Sequence, residues 1–209
     1  YGSGCSAARL DVRTAGHPSQ LRAVADRHTL DLGSGASSPV DLGVEVSAWL
    51  RGQAGTGARA VVCRDDVAAD CLAGAGLLAD GGPLLFVPGG SGGSLPGAVA
   101  DELQRAVRAG GEVIVLGGPD AIAPRVVDQL DRALPGRRVT RIFGETRVDT
   151  AAAVARTVAP NGSDTVLLAR GDNPADATTA AALAVRDGLP VLLTANDHLV
   201  APAERYLRD

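Results

Sequence analysis

The chain contains one passage twice. Residues 61–87 read VVCRDDVAADCLAGAGLLADGGPLLFV, and residues 166–194 read VLLARGDNPADATTAAALAVRDGLPVLLT. Each copy is an apolar run, an acidic turn ending in Ala-Asp, an Ala-rich helical stretch, Asp-Gly, and a second apolar run that opens at proline. Asp70 falls on Asp176 at an offset of 106 residues, and Pro83 on Pro190 at 107. A duplication of this length is one α/β unit copied in tandem, and such units bury their apolar faces by stacking on one another.

The elements follow from the apolar pattern. Short Val- and Leu-rich runs at 60–63, 83–87, 112–116, 138–142, 165–169 and 190–194 are continuous rather than alternating. That is the mark of parallel strands covered on both faces. Helical patterns fill the gaps at 38–53, 67–80, 94–109, 120–134, 147–158, 174–187 and 200–208. Ser38-Pro39 supplies an N-cap and a first-turn proline, while Gly110-Gly111 and Asp187-Gly188 supply stop signals. Strands alternating with helices at this spacing form βαβ units around a parallel sheet.

The repeat extends beyond the duplicated passage. Residues 139–151 open the second copy, and their eroded counterpart begins at Leu30, with Val40-Asp41 falling on Val148-Asp149. The chain divides into an extension at 1–29, a first repeat at 30–138, and a second at 139–209. The second lacks the strand and helix that 112–134 give the first.

Composition narrows the function. The formal charge is −4 and the pI near 5.4, which argues against nucleic acid held by bulk electrostatics. Every one of the 20 basic residues is Arg, whose planar fork grips carboxylate or phosphate at two points. Aromatic stacking surfaces are scarce. No apolar run approaches the roughly 20 residues of a membrane span. Lacking Met, the chain reads as a processed piece. Ser3-Gly4-Cys5-Ser6 resembles the end of a bacterial lipoprotein signal, with Cys5 as the lipidated residue; a plain flexible terminus is the alternative. Cys63 and Cys71 stand at a strand end and in the following helical turn. The second copy has Leu168 and Ala177 there. Two cysteines that arise together in one copy fit a local disulfide in an oxidising compartment, or two small buried thiols. With no His nearby they make no zinc site.

Four motifs in order now carry a resemblance: Arg141-x-x-Gly144-x-x-Arg147-x-x-Thr150-Ala151; then Gly171-Asp172-x-x-Ala175-Asp176-Ala177; then Pro190-Val191-Leu192-Leu193-Thr194; and Val115-Leu116-Gly117-Gly118-x-x-Ala121-Ile122. The chain resembles the cell wall binding repeat 2 family over about 30–209, most clearly in the second copy. The resemblance implies tandemly repeated Rossmann-like or toprim-like three-layer α/β units with parallel sheets. It implies a non-catalytic anchoring module, extracellular at the wall or surface of Gram-positive bacteria, holding S-layer and similar proteins to an anionic wall polymer without a cofactor. The opening motif is eroded at 30–45, where both arginines and the Thr-Ala pair are missing.

The site candidates are Arg141, Arg147, Thr150 and Asp176. Arginines on a turn leading into a helix N-terminus suit an anion. The same arginines also serve as braces to Asp149 or Asp176, and Thr150 as a first-turn residue. Asp172 and Asp176, with Asp65, Asp66 and Asp70 in the first copy, lie at strand ends where Mg²⁺-dependent enzymes hold metal; helix capping explains them without a metal. Gly89–Ser94 lacks the Gly-Lys-Ser/Thr ending of a nucleotide loop and reads as a surface loop. Neither a Ser nor a Cys nucleophile motif occurs. The leading expectation is a polymer-binding module. The alternatives are a surface scaffold or self-assembling subunit and, further off, a Mg²⁺-dependent phosphoryl-transfer enzyme.

Overall fold

The computed structural model describes residues 9–12, 28–31 and 38–208. Cys5 and most of the 1–29 extension lie outside the described residues. Strands β1 (Arg9–Val12) and β2 (His28–Asp31) pair antiparallel. The rest alternates: α1 (Pro39–Ala54), β3 (Gly57–Arg64), α2 (Ala69–Ala73), β4 (Leu84–Val87), α3 (Gly97–Ala106), β5 (Val107–Leu116), α4 (Pro124–Ala133) and β6 (Arg138–Ile142). Then come α5 (Arg147–Val158), β7 (Leu167–Arg170), α6 (Pro174–Asp187), β8 (Val191–Thr194) and α7 (Ala201–Arg208). The fold is mixed α/β, built on two parallel sheets.

The larger sheet has the order β4-β3-β5-β6, all parallel. Alternate residues of its strands face opposite layers. Val62, Leu85, Val87, Val113 and Val115 pack with Val40 of α1, Val99 and Leu103 of α3, and Val126 and Leu130 of α4. Val61, Ile114 and Leu116 point the other way, against Leu77, Leu78 and Val154 of α5. Residues 139–142, expected to open the second copy, lie in the edge strand of this sheet beside β5.

The smaller sheet is β7-β8. Ala169, Val191 and Leu193 pack with Ala177 and Ala184 of α6 and with Ala73, Ala75 and Ala151. Alanines on both sides let the helices approach closely. Leu192 instead joins Ala152 and Ala155 of α5 and Ala203 of α7. α2 and α5 thus contribute to the cores of both sheets.

The helix expected at 67–80 is shorter and tighter than its periodicity implies. α2 passes directly into a 3₁₀ turn at Gly74–Leu78. A Cβ on Gly76 would stand 2.3 Å from the Leu189 carbonyl oxygen, and one on Gly74 would stand 2.2 Å from Leu116 Cδ1. The helix expected at 94–109 ends at Ala106. Gly110, at φ +75°, and Gly111, 2.7 Å from the Ala58 oxygen if it bore a Cβ, belong to an irregularity at the start of β5.

Cys63 and Cys71 are disulfide-bonded, with Cα atoms 5.7 Å apart. The register corrects the counterpart assigned to Cys63. Val61 N–H donates to the Pro83 carbonyl, and Leu167 N–H donates to that of Pro190. Val61 therefore equals Leu167, and Cys63 equals Ala169 rather than Leu168. Ala169 and Ala177 are both small and buried, so the clamp replaces an alanine pair.

Candidate functional site

The strand order changes direction between β3 and β5: the chain leaves β3 for β4 on one side and returns to β5 on the other. Open parallel sheets bind ligands at such a point, beyond the carboxyl ends of the strands. A cavity of about 430 Å³ lies there, lined by Arg64 and Asp70 after β3, Gly118 after β5, and Phe143, Glu145 and Arg147 after β6. A second cavity of about 330 Å³ adjoins it and reaches the end of β7, with Arg170 and Gly171 in its wall. Arg147 lines both.

The opening motif of the second copy builds this corner. Arg141 donates from Nη1 to the carbonyls of Gly117 and Ile122, at 2.9 Å each. It thereby braces the turn into α4, and partial burial lowers its pKa from the ordinary guanidinium value. Gly144 is required by space, since a Cβ there would stand 2.3 Å from Asp149 Cβ. Thr150 is 2% exposed, and its Oγ1 accepts from Gly144 N–H at 3.0 Å. Thr146 and Asp149 form a capping box on α5, with Asp149 Oδ2 accepting from Thr146 N–H at 3.2 Å. Arg147, the first residue of the helix, is exposed and donates one hydrogen bond, from Nη1 to the Gly171 carbonyl at 3.0 Å.

Residues 141–207 match the cell wall binding domain 2 (CWB2) family. The match begins at Arg141, the first residue of the motif just described. Two solved structures resemble the chain: Cwp6 from Clostridium difficile, 20% identical over 95% of this chain with a TM-score of 0.72, and Cwp8 from Clostridium difficile, 24% identical over 82% with a TM-score of 0.69. This chain spans 30% of the first and 28% of the second. No curated protein matches it.

The CWB2 segment and the first copy share a feature that sequence reading passed over. Arg64 clasps Asp66, with Nη2 to Oδ2 at 2.6 Å, and Arg170 clasps Asp172 at 2.9 Å. The pairs stand after equivalent strands at the same offset, 106, that relates Asp70 to Asp176, and that offset was the signal available in the sequence. Each arginine holds its aspartate below the ordinary carboxylate range through the side-chain hydrogen bond. Each clasp uses the two-pronged Nε and Nη2 edge of its arginine, whereas the only hydrogen bond of Arg147 among the described residues is from Nη1, which leaves that edge open.

Asp70 is a metal or capping candidate in the sequence. It lines the first cavity, and its Oδ1 is buried without a hydrogen-bond partner. Burial raises its pKa, against the opposing pull of Arg147 and Arg64. Asp176 of the CWB2 segment is exposed in the first turn of α6, where Asn173 rather than Asp caps the helix. Its charge acts on Arg170, but it lines neither cavity.

The remaining candidates are engaged elsewhere. Gly89 N–H donates to Asp65 and Gly90 N–H to the Ala121 carbonyl, so these amides are not free for a phosphate. Arg125 donates to the carbonyls of Gly92 and Gly93. Among the described residues no group of three or more His, Cys, Asp or Glu is placed to hold a metal, and no helix is long and apolar enough to cross a membrane.

Proposed function

We propose that this chain is a non-catalytic wall-binding module of the cell surface, and that it holds an anionic polymer in the groove along the carboxyl ends of both sheets. The observation that carries this reading is Arg147. It projects from the N-terminus of a 12-residue helix at the junction of two cavities, and among the described residues its fork of five donors makes one hydrogen bond. Phe143, 49% exposed in the same cavity, offers a face for a sugar ring. Arg141 and Thr150 act as positioning residues, since their polar atoms bind backbone. Asp176 serves the outer rim through its effect on Arg170.

The test is co-sedimentation with isolated Gram-positive cell walls. Arg147→Ala is expected to weaken binding by about tenfold, the worth of one charge-assisted contact, with an unchanged melting temperature. Undiminished binding by the folded variant refutes the assignment of Arg147. No sedimentation of the parent chain refutes the wall-binding reading itself.

A second reading, a surface scaffold, is favoured by one observation. Trp49, Leu50 and Val185 are between 38% and 40% exposed around an apolar groove between α1 and α6. A discrete assembly by size-exclusion chromatography, abolished by Trp49→Glu, would support that reading; a monomer that binds walls counts against it.

A further inference from the structure

The opposite end of the larger sheet carries a different constellation, at the amino ends of the strands. Arg59 of β3, Glu112 of β5 and Arg138 of β6 are direct neighbours in register across three adjacent strands. Glu112 is the centre of this ladder. It accepts from Thr140 Oγ1 at 3.0 Å, pairs with Arg138 at 3.1 Å, and lies 3.5 Å from Arg59 Nε. Arg59 Nε itself is buried and makes no hydrogen bond. The register then breaks. Gly57 pairs with Val107, but Arg59 pairs with Glu112, so residues 108–111 bulge at the amino end of β5. Gly110 at φ +75° and the crowded Gly111 permit that bulge, and Arg108 stands on it exposed.

Below the bulge lies a cavity of about 440 Å³, with Arg59, Arg108 and Arg138 facing Glu112 and Asp80 in its wall. The volume falls in the range of small-molecule sites. Three guanidiniums against two carboxylates leave a net positive charge. The charges are also sorted by task. Glu112 is satisfied by its ladder and Arg59 donates from Nη1 to the Leu77 carbonyl at 3.3 Å, whereas Arg108 has no partner among the described residues.

We propose that this cavity is a second ligand site, which takes a sugar bearing a phosphate or carboxylate group. Arg108 and the outer edge of Arg138 receive the anion. Asp80 accepts from a sugar hydroxyl. Acceptors beside the guanidiniums are what distinguish a sugar acid or sugar phosphate from a bare anion. Arg59 and Arg64 lie on one strand, five residues apart. The two sites are therefore separated by about 17 Å along β3, at roughly 3.3 Å per residue. One molecule can then engage two segments of polymer. The site stands or falls independently of the groove at Arg147.

The experiment is a titration of the ¹⁵N-labelled chain with glucose 1-phosphate, and separately with glucuronic acid, followed by amide chemical shifts. Saturable shifts are expected at Gly110, Gly111 and Gly188. Arg108→Glu, an exposed residue with no partner among the described residues, is expected to weaken them at least tenfold with an unchanged melting temperature. Saturation by the phosphate alone, or by the glucuronate alone, names the anion and upholds the site. Absence of saturable shifts at the three glycines with both sugars overturns it. So does an unchanged titration in Arg108→Glu, and so does inorganic phosphate reproducing the same shifts at the same concentration.

Discussion

The two copies of the repeated passage fold alike at their strands and differently at their helices. β3 and β4 pair in the register of β7 and β8, and each first strand is followed by an Arg-x-Asp clasp. The helix of the second copy is a continuous 14-residue α-helix, capped by Asn173 and ended by Gly188 in the left-handed conformation. It buries little beyond Ala177 and Ala184. The helix of the first copy has no side-chain cap, runs into a 3₁₀ turn whose five residues are all buried, and is tied to β3 by the disulfide. One pattern thus serves as an outer wall in one copy and as a filling between two sheets in the other. Position in the stack decides the form of the helix: an outer helix needs caps and a wet face, and a sandwiched one needs small residues and close approach.

The contrast is broken most sharply at equivalent positions of the two helices. Gly76 corresponds to Ala182 at the 106-residue offset, and Ala182 is exposed. Gly76→Ala is expected to cost about 3 kcal/mol, because its Cβ meets a backbone carbonyl that cannot turn aside. Ala182→Gly should cost about 1 kcal/mol, the helix-propensity difference alone. Urea unfolding of both variants checks the ratio; equal losses would show that the first helix is not confined.

The clamp comes next. Replacing Cys63 and Cys71 together by alanine restores the pair present in the second copy. The loop closed is short, with a sequence separation of 8, so the expected loss is about 2.5 kcal/mol on the chain-entropy account. A chain that unfolds at the same urea concentration with and without the bond would remove the clamp from the comparison.

The smallest effect separates Asp70 from Asp176. Burial raises the Asp70 pKa in the folded chain. The folded state therefore loses stability as pH rises from the ordinary aspartate value through the raised one. Asp70→Asn is expected to stabilise by on the order of 1 kcal/mol at neutral pH, and the gain should vanish in acid below the ordinary aspartate value. Asp176→Asn, on an exposed first turn, should lose a few tenths of a kcal/mol. Thermal melts from pH 3 to 8 distinguish them; a pH-independent gain for Asp70→Asn would show that its titration is not the cause.

Periodicity and the duplication made the fold legible. The strands expected at 138–142 and 190–194 and the helices expected at 147–158 and 174–187 recur within a residue at each end, because caps and prolines mark them locally. The first helix was legible only as a helix, since its tight turn depends on Leu116 and Leu189, distant in sequence. The site was partly legible. The motif from Arg141 to Thr150 stood out, but the carbonyls that Arg141 serves come from another strand end and an adjoining turn. Asp70 could be seen as a match to Asp176; its buried, unpartnered oxygen belongs to the packing alone.

The edge strand β6 is where the duplication and the hydrogen bonding disagree. Residues 139–142 are expected from the sequence to open the second copy, yet their backbone is paired with β5. A pull that tries to part the two copies meets this seam before it meets any linker. The ladder from Glu112–Arg138 to Leu116–Ile142 would have to be torn first. The two copies thus share one sheet and are expected to unfold as one unit.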